Sequence, residues 1–138
     1  MTEPSSGRHP IGLLDTCVLL DLVEIEDARL PVRARISTVT LAELGIGIAL
    51  AATPAVLALR TERMLEVEHA FDALPFCAAA ARRFTTMSKL VVAAGRSPEP
   101  RKLDLMIAAI ASANDLPLYT ANTADFLALE PVLTVVSV

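Results

Sequence analysis

The run Ile11-Gly12-Leu13-Leu14 is short and apolar, and it stops at Asp15. A run of this kind between polar residues predicts a buried β-strand. Further strands are predicted over residues 35–39, 74–76, 117–120 and 132–136, and helices over residues 41–52, 54–71, 78–94 and 101–114. Strands that alternate with helices are typical of a parallel sheet covered on both faces. The sequence therefore predicts a three-layer α/β fold.

The length and composition predict one globular domain. With 138 residues, the chain has the length of a single domain, and we expect residues 1–10 to be a flexible tail. The mean hydropathy of +0.53 is high, but the longest uncharged stretch, residues 44–59, contains glycine and proline. This stretch is also shorter than the roughly 20 residues that a membrane span needs. Because residues 1–10 lack an apolar signal region, we expect a cytoplasmic protein.

Charge is unevenly distributed along the chain. The net charge of −4 argues against a general nucleic-acid coat protein. Every Lys and Arg except Arg8 lies between Arg29 and Lys102, so both ends are acidic and the middle is basic. Two cysteines and two isolated histidines form neither a disulfide framework nor a zinc set.

Four carboxylates lie where the strands of the predicted sheet would end. Ligands bind beyond the carboxyl ends of the strands in open sheets of this kind. Each carboxylate also has a simpler interpretation as a helix cap: Thr40 and Glu43, for example, match a capping box. The four candidates are Asp15, Glu43, Asp104 and Asp125.

Asp104 does not fit the capping interpretation. Residues 105–114 carry no charge, so the helix that Asp104 opens is expected to be buried on nearly all sides. A carboxylate near the interior needs a partner cation, which Arg101, Lys102 or a metal ion could supply. An all-oxygen ligand set favours Mg²⁺ or Mn²⁺ over Zn²⁺. Acidic metal clusters activate water in phosphodiester hydrolysis, so the site is interpreted as that of a nuclease or phosphatase.

Four segments resemble the motifs of a known family. In chain order they read LLDTCVLLD (13–21), STVTLAEL (37–44), DLMIAAIA (104–111) and LYTANTADF (118–126). Together they are similar to the motifs of PIN-domain ribonucleases, and most similar to the VapC toxins of bacterial type II toxin–antitoxin systems. The resemblance covers almost the whole chain.

The resemblance implies a fold, an activity and partners. The fold would be a Rossmann-like PIN domain with strand order 3-2-1-4-5. The activity would be a Mg²⁺-dependent endoribonuclease that stops translation and growth, with Mn²⁺ able to substitute. The partners would be RNA, a VapB-like antitoxin and a second copy of the chain in a homodimer. The apolar helices over residues 41–52 and 54–71 would form the clip that receives a short antitoxin helix.

Site residues follow from the resemblance position by position. Asp15, Glu43 and Asp104 would be the core acids, and the fourth position falls on either Asn122 or Asp125. Cys17 stands where the family commonly has Ser.

In the predicted mechanism, Asp15 and Asp104 ligate Mg²⁺ and Glu43 orients the attacking water as a general base. Asp125 completes the site or holds a second ion, and the products would carry a 5′ phosphate and a 3′ hydroxyl. Supporting roles are predicted for Thr16, Thr120 and Asn122. Candidate contacts to the RNA backbone are Arg82, Arg83, Lys89, Arg96, Arg101 and Lys102.

Two alternatives differ from this interpretation. An aspartyl phosphatase of the haloacid type needs a second Asp two residues after its nucleophile, whereas Cys17 follows Asp15 at that spacing. A degenerate PIN domain that only binds RNA or protein would not need all three core acids, which this chain retains.

Overall fold

The computed structural model describes residues 8–138. Along this part of the chain, strands alternate with helices. The strands are β1 (Ile11–Leu14), β2 (Arg33–Ser37), β3 (Ala73–Leu74), β4 (Leu118–Thr120) and β5 (Val135–Ser137). The helices are α1 (Thr16–Leu20), α2 (Thr38–Ala49), α3 (Pro54–Ala70), α4 (Ala78–Ala93) and α5 (Lys102–Ala113). Short 3₁₀ segments cover Leu22–Glu24, Asp27–Arg29, Glu99–Arg101 and Thr123–Leu129.

The strands form one parallel sheet in the order β3-β2-β1-β4-β5. This confirms the predicted fold class and strand order. Strand β1 lies at the centre, where Leu13 is paired with Arg35 of β2 and with Leu118 of β4. Because all strands are parallel, their carboxyl ends lie along one edge of the sheet, which is the edge where the acids were expected.

Burial on both faces explains why β1 is a continuous apolar run. Successive strand residues point to opposite faces, so Leu13 packs toward α4 and α5 while Leu14 packs with α1, α3 and Tyr119. Both leucines have no exposed surface. Helix α5 is equally enclosed, since every residue of Ile107–Ala111 is fully buried, as its uncharged sequence predicted.

The ends of some elements differ from the prediction. Strand β2 ends at Ser37, and α2 begins at Thr38 rather than at residue 41. The cause is the Ser37 hydroxyl, which accepts a hydrogen bond from the Thr40 backbone N–H at 3.0 Å and so caps the helix earlier. Strands β3 and β5 are also shorter than predicted.

Residues 1–7 of the expected tail lie outside the described residues. Residues 8–10 run beside β2: the carbonyl oxygens of His9 and Pro10 accept hydrogen bonds from the backbone N–H groups of Val32 and Arg33, each at 2.9 Å. Within residues 8–138, no helix is both long enough and apolar enough to cross a membrane.

Candidate active site

Asp15 follows β1 directly, and both of its carboxylate oxygens are held. Its Oδ1 accepts a hydrogen bond from the Thr16 backbone N–H at 2.9 Å, which caps α1. Its Oδ2 accepts from the Thr120 hydroxyl at 2.9 Å, and the Cys17 thiol donates to the same oxygen at 3.6 Å. Only 5% of Asp15 is exposed. The capping interpretation is therefore correct for one oxygen, and the second is fixed by a neighbouring strand.

Thr120 connects β4 to the Asp15 carboxylate. It is the last residue of β4 and is fully buried. Its hydroxyl donates to Asp15 and accepts from the Asn122 backbone N–H at 3.1 Å. Asn122 therefore supports the site through its backbone, while its side chain makes no cap for the following 3₁₀ segment.

Glu43 is not part of a capping box. Because Ser37 caps α2, the predicted pairing of Thr40 as cap with Glu43 as its partner is wrong, and Glu43 lies in the second turn of the helix. Its Oε1 instead accepts a hydrogen bond from the Thr16 hydroxyl at 2.5 Å. Thr16 thus contacts two acids, Asp15 through its backbone N–H and Glu43 through its side chain.

Asp104 lies in the first turn of α5 and is half-buried. Burial and the charges of Asp15, Glu43 and Asp125 together raise its pKa to about 6, while the charge of Arg101 opposes the shift. Among residues 8–138, no hydrogen bond or salt bridge reaches its carboxylate. The contributions from three other acids indicate that the four carboxylates form one cluster.

Asp125 is engaged by a cation. Its carboxylate forms a 2.8 Å salt bridge with Arg101, and the two side chains are 38% and 29% exposed. Lys102, the next residue, pairs instead with the exposed Glu99 at 3.3 Å. The cluster therefore contains an acid whose charge is balanced and one, Asp104, that has no direct partner in the described chain.

An open cleft of about 340 Å³ lies beside the cluster and is lined by Glu43, Asp104 and residues 99–103. In the described part of the chain, no three His, Cys, Asp or Glu side chains already stand in positions to ligate one ion together. That arrangement still fits Mg²⁺, which commonly keeps several waters and is held by one or two carboxylates. The unbalanced charge on Asp104 is what a divalent cation would neutralise.

The candidate RNA contacts are spread over two ends of the molecule. Arg101 and Lys102 lie beside the cluster, and Arg96 lies in the connection that leads to them. Arg83 donates a 2.9 Å hydrogen bond to Ser112 at the end of α5. It lines a separate cleft with residues that precede β1, β4 and β5, at the edge opposite the acids. Arg82 is its exposed neighbour, and Lys89 lies on the exposed face of α4.

Sequence reasoning assigned no role to Ser37 or Thr40 beyond a cap and missed the Arg101–Asp125 pair. The signal for the first two residues was the density of hydroxyls in Ser37-Thr38-Val39-Thr40, directly before the helix that carries Glu43. Both Ser37 and Thr40 are fully buried. No comparable signal pointed to the pairing of Arg101 with Asp125.

Comparison with known proteins identifies similar chains along nearly the full length. No family model matches the sequence. The chain is 34% identical over 129 residues to Ribonuclease VapC5 of Mycobacterium tuberculosis, covering 90% of this chain and 91% of that protein. A crystal structure of VapBC-5, a member of the VapBC family of toxin–antitoxin systems from the same species, superposes with a TM-score of 0.80 at 33% identity. That match covers 94% of this chain and 99% of the other.

A more distant likeness supports the fold alone. The structure of FitAcB from Neisseria gonorrhoeae matches with a TM-score of 0.73 at 24% identity, covering 92% of this chain and 96% of that one.

Proposed function

The chain belongs to the VapC family of ribonucleases, and on that premise we propose that it is the endoribonuclease toxin of a toxin–antitoxin pair that cuts RNA in the cytoplasm. The observation that carries this proposal is the gathering of Asp15, Glu43 and Asp104 at the carboxyl edge of the sheet. Those are the three core acids of the motifs, and within residues 8–138 the Asp104 carboxylate has no hydrogen bond or salt bridge.

Mg²⁺ is the proposed cofactor, with Mn²⁺ as a substitute. Asp15 and Asp104 are the residues we assign to hold it, with Glu43 and Asp125 nearby. When bound, a divalent cation polarises the phosphate and stabilises the charge of the leaving oxygen. Arg101 reduces the negative charge available from Asp125, which favours one ion over two.

Glu43 is the proposed general base. Its Oε1 is held by Thr16, so Oε2 is the oxygen that takes a proton from the attacking water. The water oxygen bonds to phosphorus and the bond from phosphorus to the 3′ oxygen breaks. The products are a 5′ phosphate and, once that oxygen is protonated, a 3′ hydroxyl. Asp15 contributes a carboxylate whose direction is fixed by Thr16 and Thr120.

RNA would approach the cluster from the cleft lined by Arg101 and Lys102. These two cations and Arg96 are the proposed backbone contacts, because they lie on the same side as the acids. Arg82 and Arg83 lie at the other edge of the sheet. An RNA bound at the acids could reach them only if it wrapped around the domain.

A VapB-like antitoxin is the proposed protein partner, and a homodimer is the proposed assembly. Apolar side chains remain exposed on α1, α2 and α3, among them Leu20, Ile46, Leu50 and Leu57. Leu20 also lines a groove of about 350 Å³ between α2 and α3, together with Glu43, Leu44, Gly47, Arg60 and Arg63. An amphipathic helix can dock its apolar face into such a groove, and an antitoxin seated there would also lie next to the acids.

Expression in bacteria tests the proposal at the level of the cell. We expect growth arrest on induction, with new RNA 5′ ends that appear at defined positions. Asp104→Asn should abolish both effects, whereas Asp115→Asn should not, because Asp115 is an exposed acid beyond the other end of α5. Growth arrest by the Asp104→Asn protein without new 5′ ends would instead favour a domain that only binds RNA or protein.

A further inference from the structure

A row of hydroxyl groups runs from the start of α2 to the Glu43 carboxylate. The Ser37 hydroxyl lies 3.4 Å from the Thr40 hydroxyl, which lies 2.9 Å from the Thr16 hydroxyl. The Thr16 hydroxyl in turn donates to Glu43 Oε1 at 2.5 Å. Ser37 and Thr40 are fully buried, so solvent does not compete for their hydrogen bonds.

The direction of every bond in this row is fixed by its last member. A carboxylate can only accept hydrogen bonds, so Thr16 must donate its one hydroxyl proton to Glu43. Thr16 can therefore only accept from Thr40, and Thr40, having donated its own proton, can only accept from Ser37. Ser37 accepts in its turn from the Thr40 backbone N–H at 3.0 Å.

We infer that Ser37, Thr40 and Thr16 form a one-way chain of donated hydrogen bonds that aims the Glu43 carboxylate, and that Thr40 is a positioning residue for RNA cleavage. The inference rests on the proposed function, since it assigns Glu43 its part in that reaction. Thr40 is buried behind Thr16 and acts through it. Its loss leaves the Thr16 hydroxyl free to rotate away from Glu43 or to accept from water.

The chain of hydrogen bonds links the two elements that carry Asp15 and Glu43. Glu43 is carried on α2 and Asp15 on the end of β1, so the two acids belong to different elements. Thr16 is bonded to both acids, and Thr40 ties the Thr16 side chain to the first turn of α2. A small rotation of α2 would therefore be resisted at the point where it would misplace the base, and small misplacements of catalytic groups are costly in rate.

The test compares Thr40→Val with Thr40→Ser, which restores the hydroxyl. In an RNA cleavage assay we expect Thr40→Val to lower kcat about 10-fold with KM little changed, and Thr40→Ser to recover most of that loss. Thr38→Val is the matched control, because Thr38 is exposed in the same helical turn, and it should cleave at the wild-type rate. A wild-type kcat for Thr40→Val, or a Thr40→Ser variant as slow as Thr40→Val, would overturn the inference.

A double-variant cycle separates positioning from a general loss of folding. Since Thr40 acts through Glu43, Thr40→Val should slow the residual activity of Glu43→Gln by less than 2-fold. If Thr40→Val still slowed the Glu43→Gln protein 10-fold, Thr40 would not act through Glu43 and the inference would be contradicted.

A second readout does not depend on activity. Buried hydroxyl protons that exchange slowly are visible by NMR, and the Thr40 hydroxyl proton should lie close to the Thr16 oxygen in the wild-type protein. A proton directed from Thr16 to Thr40 would overturn the inference even in an active enzyme. If the wild-type protein did not cleave RNA, the proposed function would fail while this measurement still decided the hydrogen-bond chain.

Discussion

Asp104 is the residue at which folding and activity oppose each other. Its pKa is raised from 3.8 to about 6, because burial and the charges of three neighbouring acids disfavour its ionised form. Between about pH 4 and pH 6 the folded state binds the Asp104 proton more tightly than the unfolded state does. Stability without metal therefore falls as pH rises through this range, and the cost is fully present above about pH 6.

Replacing Asp104 with Asn should remove the loss of stability that the ionised carboxylate causes. We expect Asp104→Asn to raise the melting temperature of the metal-free protein at pH 7 by about 3 °C, a figure reduced for the partial exposure of the side chain. At about pH 3, below both pKa values, the two proteins should melt together, because Asp104 is then mostly neutral in the folded and in the unfolded state. Cleavage by the variant should fall at least about 100-fold.

Thermal unfolding at a series of pH values in EDTA measures the first part of this prediction. A stability difference that is the same at about pH 3 and pH 7 would show that the charge of Asp104 is not what the substitution removes.

Arg101 should weaken metal binding and strengthen RNA binding at once. Its salt bridge with Asp125 reduces the negative charge that attracts a cation, and partly exposed pairs of this kind are worth up to about 1 kcal/mol. We expect Arg101→Met to tighten Mn²⁺ binding up to about 5-fold by calorimetry and to weaken RNA binding.

Lys102→Met is the control for this effect, because Lys102 pairs with Glu99 rather than with an acid of the cluster. It should weaken RNA binding and leave the affinity for Mn²⁺ unchanged. Equal Mn²⁺ affinities for the two variants would contradict a specific role of the Arg101–Asp125 pair.

At the scale of single residues, sequence reasoning located the acids better than the groups that hold them. Asp15 and Asp104 were predictable because an acid at the end of an apolar run, or at the start of an uncharged helix, is unusual. The hydroxyl contacts of Thr16, Thr40 and Thr120 depend on side-chain directions across separate elements. A linear pattern does not specify these directions.

The side chains of Tyr119 and Pro31 leave no room for a Cβ atom at Gly12 in β1. A Cβ added there would lie 2.5 Å from Tyr119 Cε1 and 3.1 Å from Pro31 Cβ, and Tyr119 is itself 2% exposed. We expect Gly12→Ala to lower the free energy of unfolding by about 1–3 kcal/mol, because the core must shift to admit the methyl group.

Gly45→Ala provides the opposite case within α2. Apart from the backbone of its own helix and its chain neighbours, no atom lies within 4 Å of its added Cβ, so the substitution should stabilise the protein by about 0.5–1 kcal/mol. Chemical denaturation of both variants measures the two signs. A Gly12→Ala protein as stable as the wild type would show that the ring of Tyr119 moves aside without cost.

At the scale of elements, the order of strands and helices was predictable and some of their ends were not. Alternating apolar runs and helical segments determine a parallel sheet, since each strand must be covered on both faces. The start of α2 was misplaced because Ser37 and Thr40 are both good caps. In the structure β2 ends at Ser37, and the Ser37 hydroxyl accepts the hydrogen bond from the Thr40 backbone N–H.

For the molecule as a whole, part of the high mean hydropathy comes from apolar side chains that remain exposed on α2 and directly after it. Leu50 is 73% exposed and Ile46 is 52% exposed, although both are apolar. Exposed apolar surface of this kind marks a protein-binding face. This is the surface that the proposed antitoxin would cover.

Leu50→Asp should therefore separate inhibition from catalysis. We expect it to weaken binding of the cognate antitoxin at least about 30-fold while RNA cleavage by the free protein stays at the wild-type level. Val32→Asp, at a 62% exposed position outside α1, α2 and α3, should leave binding unchanged. If Leu50→Asp and wild type bound the antitoxin equally well, the antitoxin would have to dock elsewhere.

Cleavage of a defined RNA by the purified protein tests the central claim most directly. With Mg²⁺ present, the wild-type protein should cut at discrete sites and leave 5′ phosphate and 3′ hydroxyl ends, and excess EDTA should stop the reaction. Asp104→Asn should be inactive under the same conditions, and Asp115→Asn should be as active as the wild type. Undiminished cleavage in EDTA, or by Asp104→Asn, would contradict the assignment of the acid cluster as a metal-dependent active site.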